Sequence, residues 1–121
     1  MSHIENADQP ARFHAEDRMV EGVRVVALRG EIDHDVKERL GAALRGERGA
    51  APERIVADLS EVTFMDSSGI NVFVRTHRRV SGSGGWVRIA GAQEPVLHVL
   101  QLVGIDTLIA CLPTVEQALA D

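Results

Sequence analysis

At 121 residues the chain has the length of one domain, enough to bury about two thirds of its extended surface. Apolar residues at 45% and charged residues at 26% describe an ordinary soluble globular chain, and a net charge of −5 opposes binding to a nucleic-acid backbone. No stretch approaches the ~20 continuous apolar residues of a membrane span, and the single cysteine, Cys111, excludes an intrachain disulfide.

The N-terminal "MSHIENADQP" has no apolar segment of a signal peptide. Residues 1–11 read as a flexible polar lead-in, residues 12–121 as the domain, and the lone thiol as that of a cytoplasmic protein. Aromatic side chains are limited to Phe13, Phe64, Phe73 and Trp86. The core is therefore expected to be Val, Leu, Ile and Ala, and base stacking has little to work with.

"RFHAEDRMVEG" and the β-branched "VRVVALRG" (Val23 to Gly30) predict an edge hairpin. Val36, Leu40, Ala43 and Leu44 then recur at helical spacing, with Asp35 and Glu38 as a possible capping box and Gly46 as the stop. "GERGAAPE" reads as a loop. "RIVADL" is a buried strand that "VTFMD" carries onward. Ile70, Phe73, Val74 and His77 predict a second helix to about Val80, stopped by "SGSGG". Arg75, His77, Arg78 and Arg79 suit its C-terminal end, where cations complement the helix dipole.

Strand "WVRIA", helix "EPVLHVLQLVG" with proline inside its start and glycine past its end, a short strand "TLIA", and a helix from about Thr114 to Leu119 complete the chain. Strands alternating with helices imply crossover connections. The expected class is α/β: a mixed, mostly parallel sheet of about five strands with helices packed against it. In such sheets function gathers where strands end and helices begin. "MDSSG" (Met65 to Gly69) lies at such a junction.

Neither Ser67 nor Ser68 has the flanking glycines of a nucleophile elbow. No phosphate-binding glycine motif opens a helix, and no pair of histidines has the spacing of a metal site, so no catalytic residue, metal or cofactor is expected. His98 sits in an otherwise apolar helix, where a satisfied or partly exposed ring is the ordinary case, and Cys111 in "TLIACL" reads as a buried structural thiol. For "DSSG" two readings stand. Asp66, Ser67 or Ser68 can cap the following helix, worth ~1 kcal/mol, or an exposed serine at that helix N-terminus can carry phosphate.

"GEIDHDVKERL", "IVADLSEVTFMDSSGINVFV" and "EPVLHVLQLVGIDTLIA" resemble, in order, the segments of an anti-sigma factor antagonist of the STAS family, over about Val23 to Leu119. The resemblance implies a small non-enzymatic α/β domain. It would bind an anti-sigma factor that is also a serine kinase, releasing a sigma factor; the kinase would phosphorylate the serine after the motif aspartate, and a phosphatase would reverse it. That serine is Ser67 by position. Asp33 matches the aspartate near the phosphorylation site, and Asp66, Ser68, Gly69 and Ile70 match the surrounding partner-binding motif.

Asn71 departs from the family's usual glycine and puts a side chain on the first turn. No direct nucleic-acid or membrane contact is implied. The alternative is a STAS subunit serving as an interaction module in a transporter or stress-signalling assembly; such domains often lack the modifiable serine that this chain keeps.

Overall fold

The computed structural model describes residues 12–46 and 52–120. The proposed lead-in of residues 1–11 and most of the "GERGAAPE" loop lie outside the described residues. Five strands form one sheet in chain order: β1 (His14–Val20), β2 (Val23–Ile32), β3 (Arg54–Met65), β4 (Trp86–Ala90) and β5 (Cys111–Leu112). β1 runs antiparallel to β2, and every later neighbour is parallel. The helices are α1 (Lys37–Arg45), α2 (Ser67–Ser81), α3 (Glu94–Leu102) and α4 (Val115–Leu119). The α/β class and its mostly parallel five-stranded sheet are as the sequence predicts.

Alternation along the strands divides the core between two faces. Val26, Leu28, Ile55, Ala57, Leu59, Val87 and Ile89 point to one face, where they meet Leu40 and Leu44 of α1, Phe73 and Val80 of α2, and Val96 and Leu100 of α3. Val23, Val25, Val56 and Ala90 point to the other, covered by Ala118, Val115 and Leu119 of α4. Two strand arginines tie the helix ends down. Arg24 on β2 donates to the carbonyls of Ala43 and Leu44 at the end of α1, and Arg88 on β4 donates to those of Ala118 and Ala120 at the end of α4. Each satisfies carbonyls that a helix C-terminus leaves open and complements the dipole there. Among the described residues no helix is long and apolar enough to cross a membrane.

Two local expectations are corrected, and a third is extended. The capping box of Asp35 and Glu38 is absent: a 3-10 turn, His34–Val36, precedes α1, so the first open donors fall to Asp33, and the α1 N-cap Val36 has no side-chain cap. As expected, "VTFM" carries "RIVADL" onward in one strand of 12 residues, which two register shifts against β2 interrupt. The last strand is Cys111–Leu112 and not "TLIA". Gly104, in the left-handed region at φ 82°, ends α3 and starts the 3-10 turn Ile105–Thr107, which uses the residues a strand would need.

His98 is exposed. Cys111 is only partly buried, with its Sγ directed at the Ile109 carbonyl. Burial, reinforced by the Asp106 carboxylate, pushes its thiol up, which disfavours the reactive thiolate at neutral pH.

The β1–β2 hairpin closes through Glu21 and Gly22, at φ 51° and 83°. Both central residues lie in the left-handed region, as a two-residue turn matched to strand twist demands, and glutamate is poorly suited to it. Glu21→Asn should stabilise the domain by ~0.5 kcal/mol, read as a higher denaturant midpoint at unchanged slope; a lower midpoint would show that the turn is not strained.

Candidate functional site

β2 and β3 end level with each other, Ile32 opposite Met65, and the Asp66 N–H donates to the Ile32 carbonyl at 3.1 Å. The next residue on each strand is an aspartate that caps a helical segment. Asp33 (φ −129°, ψ −170°) accepts the Asp35 N–H on Oδ1 at 3.0 Å, and Asp66 (φ −109°, ψ −171°) accepts the Ser68 N–H on Oδ1 at 2.9 Å. The backbone carbonyls repeat the pattern: Asp33 accepts from Val36, and Asp66 accepts from Gly69 and Ile70. The two aspartates are matching caps on neighbouring parallel strands, which stand roughly 5 Å apart.

Asp66 therefore satisfies three donors of the first turn of α2, those of Ser68, Gly69 and Ile70. The serines are not needed as caps. Ser67 is exposed, Ser68 is half-buried, and neither hydroxyl makes a hydrogen bond among the described residues. Among the described residues no base is hydrogen-bonded to Ser67 Oγ to activate it as a nucleophile, and the side chain is exposed. Among the described residues no group of three or more His, Cys, Asp or Glu side chains is arranged to hold a metal ion.

The rest of the motif divides by face. Gly69 and Ile70 are buried, whereas Asn71 is exposed one turn beyond Ser67. A Cβ on Gly69 would lie 2.6 Å from Ile32 Cγ2 and 2.9 Å from Met65 Cγ, so only glycine lets α2 begin this close to the strand ends. The structure thus joins Asp33, Asp66, Ser67, Ser68 and Asn71 at the carboxyl edge of the sheet, with Gly69 and Ile70 beneath them.

Sequence reading passed over a second feature. A groove of about 580 Å³ runs between α1 and α2, lined by Lys37, Gly41, Arg45, Val72, Arg75 and Arg79, with Glu38 and Thr76. The signal was present as two pairs of cations at helical spacing, Arg75 with Arg79 and, two turns apart, Lys37 with Arg45.

The STAS domain family model matches residues 14–118, and the chain belongs to that family. An anti-sigma F factor antagonist of Paenibacillus polymyxa is 31% identical over 88 residues, 69% of this chain and 73% of that protein. The crystal structure of an anti-sigma factor antagonist from Mycobacterium paratuberculosis superposes with a TM-score of 0.73 at 27% identity, covering 91% of this chain and 93% of that one. The phosphorylated form of the Bacillus cell-fate determinant SpoIIAA shares the fold, with a TM-score of 0.59 at 23% identity over 88% of this chain and 96% of that one.

Replacing the caps should separate their structural part from any electrostatic one. Asp66→Ala and Asp33→Ala should each lose ~1 kcal/mol in denaturant unfolding, whereas Asp33→Asn, which keeps an acceptor oxygen, should lose only a few tenths. Gly69→Ala should cost ~1–3 kcal/mol by overpacking. An unaltered midpoint for Gly69→Ala would show that α2 is free to shift on the sheet.

Proposed function

We propose that this chain is an anti-sigma factor antagonist that binds an anti-sigma factor serine kinase, frees a sigma factor, and is switched off by phosphorylation of Ser67. The supporting observation is the exposed, unbonded Ser67 hydroxyl beside a cap that does not need it, in a domain whose curated relatives are named antagonists. On this reading the chain performs no chemistry itself. It is the substrate of the kinase and of a restoring serine phosphatase, and it works in the cytoplasm, where sigma factors act. The partner surface comprises Asp33, Asp66, Ser67, Ser68 and Asn71 at the edge, held in place by Gly69 and Ile70.

Magnitudes favour a switch that acts on the complex and not on the fold. A phosphoserine adds about −1.5 to −2 charges at neutral pH. The Asp66 and Asp33 carboxylates oppose it, while the helix N-terminus returns ~0.3–2 kcal/mol and exposed charges are screened by salt. The free domain should therefore change little in stability. A packed interface differs, because burying an unpaired dianion costs several kcal/mol, and ~4 kcal/mol already weakens binding about a thousandfold.

The test uses the anti-sigma factor that co-purifies with the protein, together with radiolabelled ATP. Label should enter the wild type and not Ser67→Ala, and Ser67→Ala should still bind. The phosphorylated domain should show amide shifts only near Ser67, Asp33 and the first turn of α2, with partner affinity lost. Label entering Ser67→Ala at the wild-type rate would remove the site assignment, and domain-wide shifts would show that phosphate acts by refolding.

A further inference from the structure

The groove between α1 and α2 concentrates positive charge on an acidic chain. Its lining holds Lys37, Arg45, Arg75 and Arg79 against Glu38 alone, a balance of +3 within a net charge of −5, so the remainder of the chain carries −8. Arg79 is engaged by Glu53. Lys37, Arg45 and Arg75 form no ion pair among the described residues, so their charge is unspent in the free domain. Structural arginines behave differently here: Arg24 and Arg88 both bind helix-end carbonyls.

The floor of the groove differs from its rim. An ideal Cβ on Gly41 would fall 3.5 Å from Arg45 Nη1 and 3.9 Å from Val72 Cγ1, and Val72 itself is 4% exposed. Thr76 donates its hydroxyl to the Val72 carbonyl within α2, so it offers the groove little hydrogen-bonding capacity. A floor closed by the buried Val72 and Thr76 between cationic rims suits an amphipathic helix that lies along the groove with its acidic face turned to Lys37, Arg45 and Arg75. Nucleic acid fits less well, because no aromatic side chain lines the groove for stacking and the surrounding chain is acidic.

We infer that the α1–α2 groove is a docking site for an acidic amphipathic helix of a protein partner. The inference extends the proposed function, resting on the reading that this domain works by binding protein. α1 and α2 both begin at the carboxyl edge of the sheet, so the groove leads away from the end that carries Asp33, Asp66 and Ser67. A partner seated at Ser67 can continue into it, with the groove adding charge recognition at a distance from the switch.

The test needs no identified partner. Isotope-labelled protein is titrated with a short Glu- and Leu-containing amphipathic helical peptide, with the same peptide carrying Gln for Glu, and with a single-stranded oligonucleotide. The acidic peptide should shift the amides of Gly41, Val72 and Thr76, and binding should weaken steeply with salt. Each exposed ion pair contributes at most a few-fold, so reversing two cations in Arg45→Glu with Arg75→Glu should weaken binding about tenfold, with Arg45→Gln and Arg75→Gln intermediate. Thermal melts of these exposed-site variants should match the wild type. Three results would overturn the inference: equal binding of the Gln peptide, shifts confined to other faces, or an unweakened double reversal. Tighter binding of the oligonucleotide would overturn it too, making the groove a nucleic-acid surface. Failure here with label still entering Ser67 removes the groove alone; success here with Ser67 unlabelled removes the switch alone.

Discussion

The hydrogen bond from the Asp66 N–H to the Ile32 carbonyl, 3.1 Å long, sets the geometry on which the rest of the site depends. It holds the ends of β2 and β3 level, so the aspartate that follows each strand meets the same task in the same backbone conformation. With both caps at one edge, α1 and α2 descend side by side over the same face of the sheet. Their spacing follows from Gly69, whose missing Cβ lets the first turn of α2 rest on Ile32 and Met65. Any side chain there would lift α2 from the sheet and open the boundary it shares with α1.

Level ends are not free, because β3 takes more residues than β2 to reach them. Between the pairs Ala27–Asp58 and Ile32–Met65, β2 advances by five residues and β3 by seven. In an unbroken ladder that surplus of two residues would carry Met65 about 7 Å of strand past Ile32. The surplus is taken up at two irregularities, and side chains pin the first. Asp58 Oδ1 accepts the Ser60 N–H at 3.0 Å, while Gln93 Nε2 donates to the Ser60 carbonyl at 2.8 Å. Both backbone groups of Ser60 find partners outside the β2–β3 ladder, which is what lets a bulge persist without leaving polar groups open. The same shifts turn Phe64 outward, leaving it 46% exposed beside the site.

Much of this was legible in the sequence, and the parts that were not have physical causes. Helical spacing placed α2, the "VRVVALRG" run placed β2, and alternation of strands and helices gave the parallel sheet. The bulges were hidden because buried Leu59, Val62 and Met65 recur every third residue, a spacing that belongs to neither a regular strand nor a helix. β5 was displaced because "TLIA" has strand composition, yet Gly104 starts a 3-10 turn over Ile105–Thr107 whose Ile105 carbonyl also takes the N–H groups of Leu108 and Ile109. At "MDSSG" the sequence left capping and modification as rivals, since Asp, Ser and Ser are all competent caps. In the folded domain Asp66 takes the capping alone. The α1–α2 groove needed two helices brought together, and no single stretch of sequence contains it.

That distribution of roles bears on the proposed switch in so small a domain. Domains of this size hold about 5–15 kcal/mol of net stability, so a regulatory residue that also supported the fold would trade one against the other. Here the first-turn donors are satisfied by Asp66, close packing is met by Gly69, and the core is filled from Ile70 and Phe73 onward. Ser67 is left with an exposed side chain on which none of these depends. On the proposed function, a charged group added to that hydroxyl would leave the caps, the sheet register and the helix spacing with their own interactions. Its cost would then fall on the complex, where an approaching surface must desolvate that position.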